Sequence, residues 1–139
     1  SKAIALYRIE YGKHFMHVTK ADYNRLHNLC GYLYNRGDLI VRATGSGNNL
    51  LALSLLLYTN GRLYLILSVT LPEGRRLRAN HFHINALIKE FSNRALILDF
   101  EGSDIPGIAH FYKNFGAVNQ PYYYFRSNNL PRVVRWLKE

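Results

Sequence analysis

Acidic residues are scarce in this sequence. Nine Asp and Glu stand against 18 Lys and Arg, a formal net charge of +9 over 139 residues. That imbalance points to an anionic partner: a phosphorylated cofactor, a nucleic acid or a membrane surface. Cysteine is rarer still. The single Cys30 excludes an internal disulfide and fits a reducing compartment, so a cytoplasmic location is expected. No apolar run reaches transmembrane length, because residues 50–58 and 63–69 are parted by Asn60-Gly61, and no stretch reads as a signal peptide. Low-complexity segments and internal repeats are absent too. What remains is 48% hydrophobic and 19% charged, the composition of one ordinary domain with its own core. The chain begins at Ser1 without a methionine, which fits a fragment of something longer.

Local signals divide the chain. Residues 4–9 and 15–18 read as short strands around a turn at Gly12. Thr19-Lys-Ala-Asp22 resembles a capping box with aspartate in place of glutamate. Behind it Leu26, Leu29, Cys30 and Leu33 keep the spacing of one apolar helix face, and Gly37 stands where a helix stop belongs. Residues 39–43 read as a strand, 45–49 as a loop and 50–58 as a second strand. Asn60-Gly61 is a type I′ hairpin signal, and residues 63–69 read as a central strand covered on both faces.

After Leu71-Pro72 comes an arginine-rich stretch, residues 75–80, read as a loop. A helix with Ile84, Leu87, Ile88 and Phe91 on one face follows. Residues 95–100 form the next strand, and its helical link to residues 63–69 implies a parallel βαβ unit. A proline-started helix bears Ile108, Phe111, Tyr112 and Phe115, with Gly116 as its stop. Residues 122–126 read as a last strand, and residues 130–139 as a basic tail carrying Trp136. The expected class is α/β (α+β): an antiparallel meander, one parallel crossover and about three helices.

The strand–turn–helix at residues 99–117 is the stretch richest in chemistry. Strand alternation puts Ile97, Asp99 and Glu101 on one face. A carboxylate there can serve as general base, or can merely accept from turn N–H groups and arginines. Ser103 and Asp104 sit in the same turn. Tyr112 can act as a general acid if it points into a cleft, or can fill the apolar stripe with Ile108 and Phe115. Arg75, Arg76 and Arg78 precede a helix start and suit a polyanion, or form a solvated basic loop. His81-Phe-His83 could chelate on a strand, but on a helix that spacing points the rings apart, and no metal site is expected. Tyr122-Tyr-Tyr-Phe125 could stack nucleobases or pack as ordinary strand residues. Cys30 belongs to the apolar face of its helix and reads as core.

Phe111-Tyr112-Lys-Asn-Phe-Gly116-Ala-Val118 resembles the tyrosine motif of GNAT N-acyltransferases. Asp99-Phe-Glu-Gly-Ser103, Gly107-Ile-Ala-His-Phe111 and Phe115-Gly116 are more similar to the FemX/FemAB branch, which carries two GNAT-like halves in tandem. The resemblance spans residues 39–131, including Asn129-Leu-Pro131, and is closest to bacterial members. It implies a GNAT-like fold and places this chain, residues 1–139, as the C-terminal half of a protein about twice as long, with an N-terminal GNAT-like half as partner. It implies transfer of an acyl group from acetyl-CoA or another acyl-CoA to an amine acceptor. Tyr112 would protonate the departing thiolate and Glu101 would serve as base. Backbone at Ser68 and Val69 would meet the pantetheine arm and polarise the thioester carbonyl, and Arg75, Arg76, Arg78, Ala79 and Asn80 would meet the phosphates. The family cradles the pyrophosphate with an Arg/Gln-x-x-Gly-x-Gly/Ala loop. Here Arg78 occupies the first glycine position, so arginine side chains would stand in for backbone donors. Two alternatives accompany this reading: a non-catalytic half that binds tRNA or another polyanion or packs on its partner, and a Fem-type aminoacyl transferase, whose lysine Tyr112 replaces.

Overall fold

The computed structural model describes residues 2–15, 17–102, 105–121, 123 and 125. The N-terminal segment is helical, α1 at Lys2–Tyr11, followed by a 3-10 turn at Gly12–His14. This corrects the expected strand at residues 4–9. Ile4, Tyr7 and Tyr11 recur at helical spacing, and all three turn toward the core. The segment at 15–18 likewise forms no strand among its described residues.

Helix α2, Lys20–Asn35, starts on the capping box foreseen at Thr19 and Asp22. Gly37 follows it with φ +79°, a left-handed value that suits glycine. Then β1 (Leu39–Ser46), β2 (Asn49–Thr59) and β3 (Arg62–Thr70) form an antiparallel meander. The expected loop at 45–49 shrinks to Gly47-Asn48, because the strands run almost into the turn. Asn60 and Gly61 both take positive φ, 50° and 71°, as the type I′ turn requires.

The arginine-rich stretch is not a loop. Helix α3 spans Pro72–Arg76, and α4, Ala79–Phe91, begins after two residues. Strand β4 is only Ile97–Asp99 and pairs parallel with β3, as the crossover implies. Helix α5, Pro106–Lys113, ends before Gly116, whose φ is +80°. The four strands lie in the order β1-β2-β3-β4. The result is an α+β fold with a mixed sheet and five α-helices among the described residues, against about three expected. Strand and tail readings at 122–126 and 130–139 lie outside the described residues, apart from Tyr123 and Phe125, which are exposed and in no strand.

Apolar residues cover both sheet faces. One cluster joins Ala3, Ile4 and Cys30 to Leu39, Leu53, Leu55, Leu67 and Val69. The other joins Ile84, Leu87 and Phe91 of α4 to Leu56, Leu63 and Leu65, with Phe100, Phe111, Tyr112 and Phe115 against it. Each fully buried leucine contributes roughly 1.5–3 kcal/mol. The strand covered continuously on both faces is β2, buried from Leu51 to Leu56, rather than β3. In β3 burial alternates, and Tyr64, Ser68 and Thr70 stay partly open. Gly74 lets α3 lie against β2: a Cβ there would collide with the Leu51 carbonyl oxygen. No helix among the described residues is long and apolar enough to cross a membrane.

Candidate functional site

The site follows from how β3 and β4 part. They pair only at Arg62↔Ile97, Leu63↔Leu98 and Tyr64↔Asp99, while β3 runs six residues further, to Thr70. Ile66 is an extra residue in the β2–β3 ladder, since Leu55 faces Leu67 and Leu56 faces Leu65. Such a bulge increases local twist. Beyond Tyr64 the edge of β3 has no strand partner among the described residues. Its N–H groups alternate in direction. That of Leu71 donates to the Leu51 carbonyl, and that of Thr70 donates to the Tyr11 hydroxyl at 3.3 Å. Two residues back, Ser68 directs its N–H to the same edge as Thr70. Val69 lies between them, and like Leu71 it turns its N–H to β2, opposite Leu53. Its side chain is wholly buried among the residues facing α1 and α2. It offers a ligand in the opening neither backbone nor side chain, against the expectation that its backbone meets the pantetheine arm.

Tyr112 stands on the other side of this opening. Its ring stacks on Phe100 at 4.3 Å and 12° and meets Phe111 edge-on at 5.4 Å. Burial, and to a smaller degree Tyr11, pushes its pKa above the ordinary tyrosine value. A phenol so placed stays protonated at neutral pH and can donate. Phe111 also takes the His81 ring edge-on at 4.9 Å, which ties α5 to the start of α4.

The carboxylates divide their roles. Asp99 accepts from Arg62 at 2.7 Å and from the Glu101 N–H at 2.8 Å. The side chain of Glu101 is exposed and has no hydrogen bond or ion pair among the described residues; its φ is +63°. Ser103 and Asp104 lie outside the described residues.

The arginines are not equivalent either. Arg75 donates to the Thr70 carbonyl at 2.5 Å and to Glu10 at 2.8 Å. Arg76 pairs with Glu73, its neighbour in α3, at 2.5 Å. Arg78 has no side-chain partner among the described residues, and its backbone is left-handed, φ 53° and ψ 33°. It immediately precedes α4, and no side chain caps that helix. An arginine there keeps a shape glycine adopts freely, at a cost of about 1–2 kcal/mol. Ala79 is buried in the first turn, and the Asn80 side chain meets His81 Nδ1 at 3.1 Å.

A polar chain that the sequence reading missed runs beneath α4. His83 is buried, with Nδ1 2.8 Å from the Thr44 hydroxyl and Nε2 2.8 Å from Ser54 Oγ. Ser54, fully buried, lies with its Oγ 3.4 Å from Ser68 Oγ. Burial lowers the His83 pKa, so the ring is neutral. The signal was available: His83 precedes Leu87 by four residues and Phe91 by eight, on the helix's apolar face. A histidine there must find buried partners. His81 and His83 face different neighbours, and no cluster of three or more His, Cys, Asp or Glu side chains able to hold a metal occurs among the described residues.

Compared with protein-family models, with curated proteins and with solved structures, the chain matches none. Its chemistry is read from the geometry and from the motifs at 75–80 and 111–118.

Proposed function

We propose that this chain is an N-acyltransferase domain of the GNAT type, taking an acyl-CoA as co-substrate and an amine as acceptor. The observation that carries the proposal is the opening between β3 and β4, with the Ser68 N–H of β3 directed to one side and a protonated Tyr112 on the other. Three further features support it. The element order of a meander followed by a parallel crossover fits the fold. The left-handed backbone at Arg78 keeps the shape of a glycine in the phosphate loop. The uncapped start of α4 supplies N–H groups and a positive dipole end for a pyrophosphate.

The amine attacks the thioester carbon directly, and the new C–N bond replaces the C–S bond. Tyr112 gives its proton to the leaving sulfur. Glu101 takes the proton of the amine, directly or through water, since Asp99 is already engaged by Arg62. The N–H of Ser68 pairs with the arm of the substrate, and Arg78 reaches the phosphates.

Thermal-shift titration tests this. Millimolar acetyl-CoA or a longer acyl-CoA should raise the melting temperature, and the absence of a shift contradicts the proposal. Tyr112→Phe should lower turnover with CoA affinity almost unchanged. Undiminished activity would remove its acid role.

A non-catalytic reading has its own observations. Arg75 and Arg76 are held by carboxylates, and the Tyr11 hydroxyl already occupies the Thr70 N–H. Such a half would bind tRNA or another polyanion or pack on a partner half. Tight tRNA binding that falls steeply with salt, without an acyl-CoA shift, would favour it.

A further inference from the structure

Thr70 ends the open edge of β3, and both of its backbone groups are taken. In the β2–β3 ladder Thr70 stands opposite Ala52, while its neighbour Leu71 donates to Leu51. Antiparallel pairing alternates, so the N–H and C=O of Thr70 both point away from β2, to the edge that β4 leaves bare. The N–H donates to the Tyr11 hydroxyl at 3.3 Å, and the C=O accepts from Arg75 at 2.5 Å. Arg75 also donates to Glu10 at 2.8 Å, and the Glu10 side chain is only 13% exposed. Glu10 and Tyr11 are the last two residues of α1. One helix end thus holds the strand edge and Arg75 together.

These contacts copy what a ligand would bring. A chain of amides lying along β3 beside the Ser68 N–H meets the Thr70 N–H about 7 Å further on, two residues along the strand. The Tyr11 oxygen stands where such an amide oxygen would accept, and the Glu10 carboxylate pairs with Arg75 as a phosphate would. Burial first, and Tyr11 after it, raise the Tyr112 pKa. The two phenols therefore approach across the opening from opposite faces of the sheet, Tyr11 with one apolar cluster and Tyr112 with the other. Helix α1 is built to part at this end. Its fully buried residues, Ala3 and Ile4, sit in its first turn, while Tyr7 and Tyr11 are partly buried and Ile9 is 68% exposed. Segments with few buried apolar contacts open locally at small cost.

We propose that the last turn of α1 is an autoinhibitory strap over the β3–β4 opening: Tyr11 and Glu10 hold Thr70 and Arg75 until an anionic, amide-bearing ligand displaces them. The proposal rests on the acyltransferase reading for the identity of that ligand, an acyl-CoA, which carries amides along its arm and phosphates at its far end. The exchange is one for one. An amide oxygen replaces the Tyr11 hydroxyl on the Thr70 N–H, and a phosphate oxygen replaces Glu10 on Arg75. No covalent bond changes, and the hydrogen bonds lost by the strap are regained by the ligand. Because the strap must open first, the apparent affinity is the intrinsic one reduced by the open fraction.

Two measurements test the strap, the first without ligand. Amide hydrogen exchange in the full chain should show Thr70 exchanging about 10-fold or more faster than Leu71, whose N–H is bonded within the sheet. Glu10→Gln, which leaves the Thr70–Tyr11 bond in place, should speed Thr70 by about 3- to 10-fold and leave Leu71 unchanged. Equal rates at Thr70 and Leu71, or a Thr70 rate unmoved by Glu10→Gln, mean that α1 leaves only as the sheet unfolds, and overturn the proposal. The second measurement is acetyl-CoA affinity. Tyr11→Phe, which keeps the ring and changes no charge, and Glu10→Gln should each tighten binding about 3- to 10-fold. Wild-type affinity in both folded variants overturns the strap and leaves the acyltransferase reading standing. If neither the wild type nor the double variant binds acetyl-CoA at millimolar concentration, the acyltransferase reading falls, and the exchange rates alone decide the strap.

Discussion

Helix α2 begins on Thr19, whose hydroxyl accepts from the Asp22 N–H while the Asp22 carboxylate takes the Thr19 N–H at 2.9 Å. Helix α4 begins on Arg78, left-handed, with no side chain over its first turn. The first start closes on itself with residues chosen for the purpose, and its lesson is stability. The second keeps a strained backbone and leaves its dipole end to whatever anion arrives. The difference separates a helix start closed by its own side chains from one left open, and it can be read residue by residue.

The largest way to break the comparison acts through what holds the second start in place. Gly74→Ala sets a Cβ against the Leu51 carbonyl, and backbone cannot yield as a side chain can. Helix α3 must move off β2, and the start of α4 with it. A loss of about 3 kcal/mol in urea unfolding is expected. Next in size is Thr19→Ala, which dismantles the capping box and should cost about 1 kcal/mol without affecting ligand binding. Arg78→Gly should work in the opposite sense. It relieves the left-handed strain but adds unfolded-state entropy, for a net stabilisation of about 0.5 kcal/mol. A loss of stability there would mean that the Arg78 side chain contributes more than its backbone costs.

The smallest effect vanishes at neutral pH. The folded-state pKa of His83 is depressed by burial, so as pH falls below about 6.5 the unfolded chain takes up a proton that the folded chain refuses. Stability from this source is complete above that pH and declines below it. Its groove is also lined by the Arg42–Glu90 pair, whose carboxylate has a lowered pKa through its hydrogen bonds to Arg42, so His83 dominates the window just below 6.5. His83→Gln should flatten the stability curve between about pH 6.5 and 5. An unchanged slope contradicts a buried neutral ring.

What the sequence disclosed was local. Thr19 with Asp22, Asn60-Gly61, Gly37 and Gly116 each act through their own neighbours, and all four stand where expected. Strands β1 to β4 and helices α4 and α5 followed from periodicity and the parallel link, whereas α3 was read as part of a loop. The N-terminal helix was misread because apolar residues fill both a period of two and a period of 3.6 between Ala3 and Ile9, and packing under the sheet decides between them. The pairing of Arg75 with Glu10 joins residues 65 apart, and Ser54 meets His83 across 29. No local pattern carries such contacts. Tyr112, Ser68 and Arg78 were named from motif and position, whereas the polar contacts of Thr44, His83, Ser54 and Ser68 required three strands and a helix in place.

The central claim is that the start of α4 and the open edge of β3 hold the same ligand while the start of α2 holds none. A backbone amide titration with acetyl-CoA addresses it most directly. The account predicts saturable shifts at Ser68, Ala79 and Asn80, with Thr19 and Asp22 still. No shifts at millimolar ligand, or shifts at α2 as large as those at α4, would contradict it.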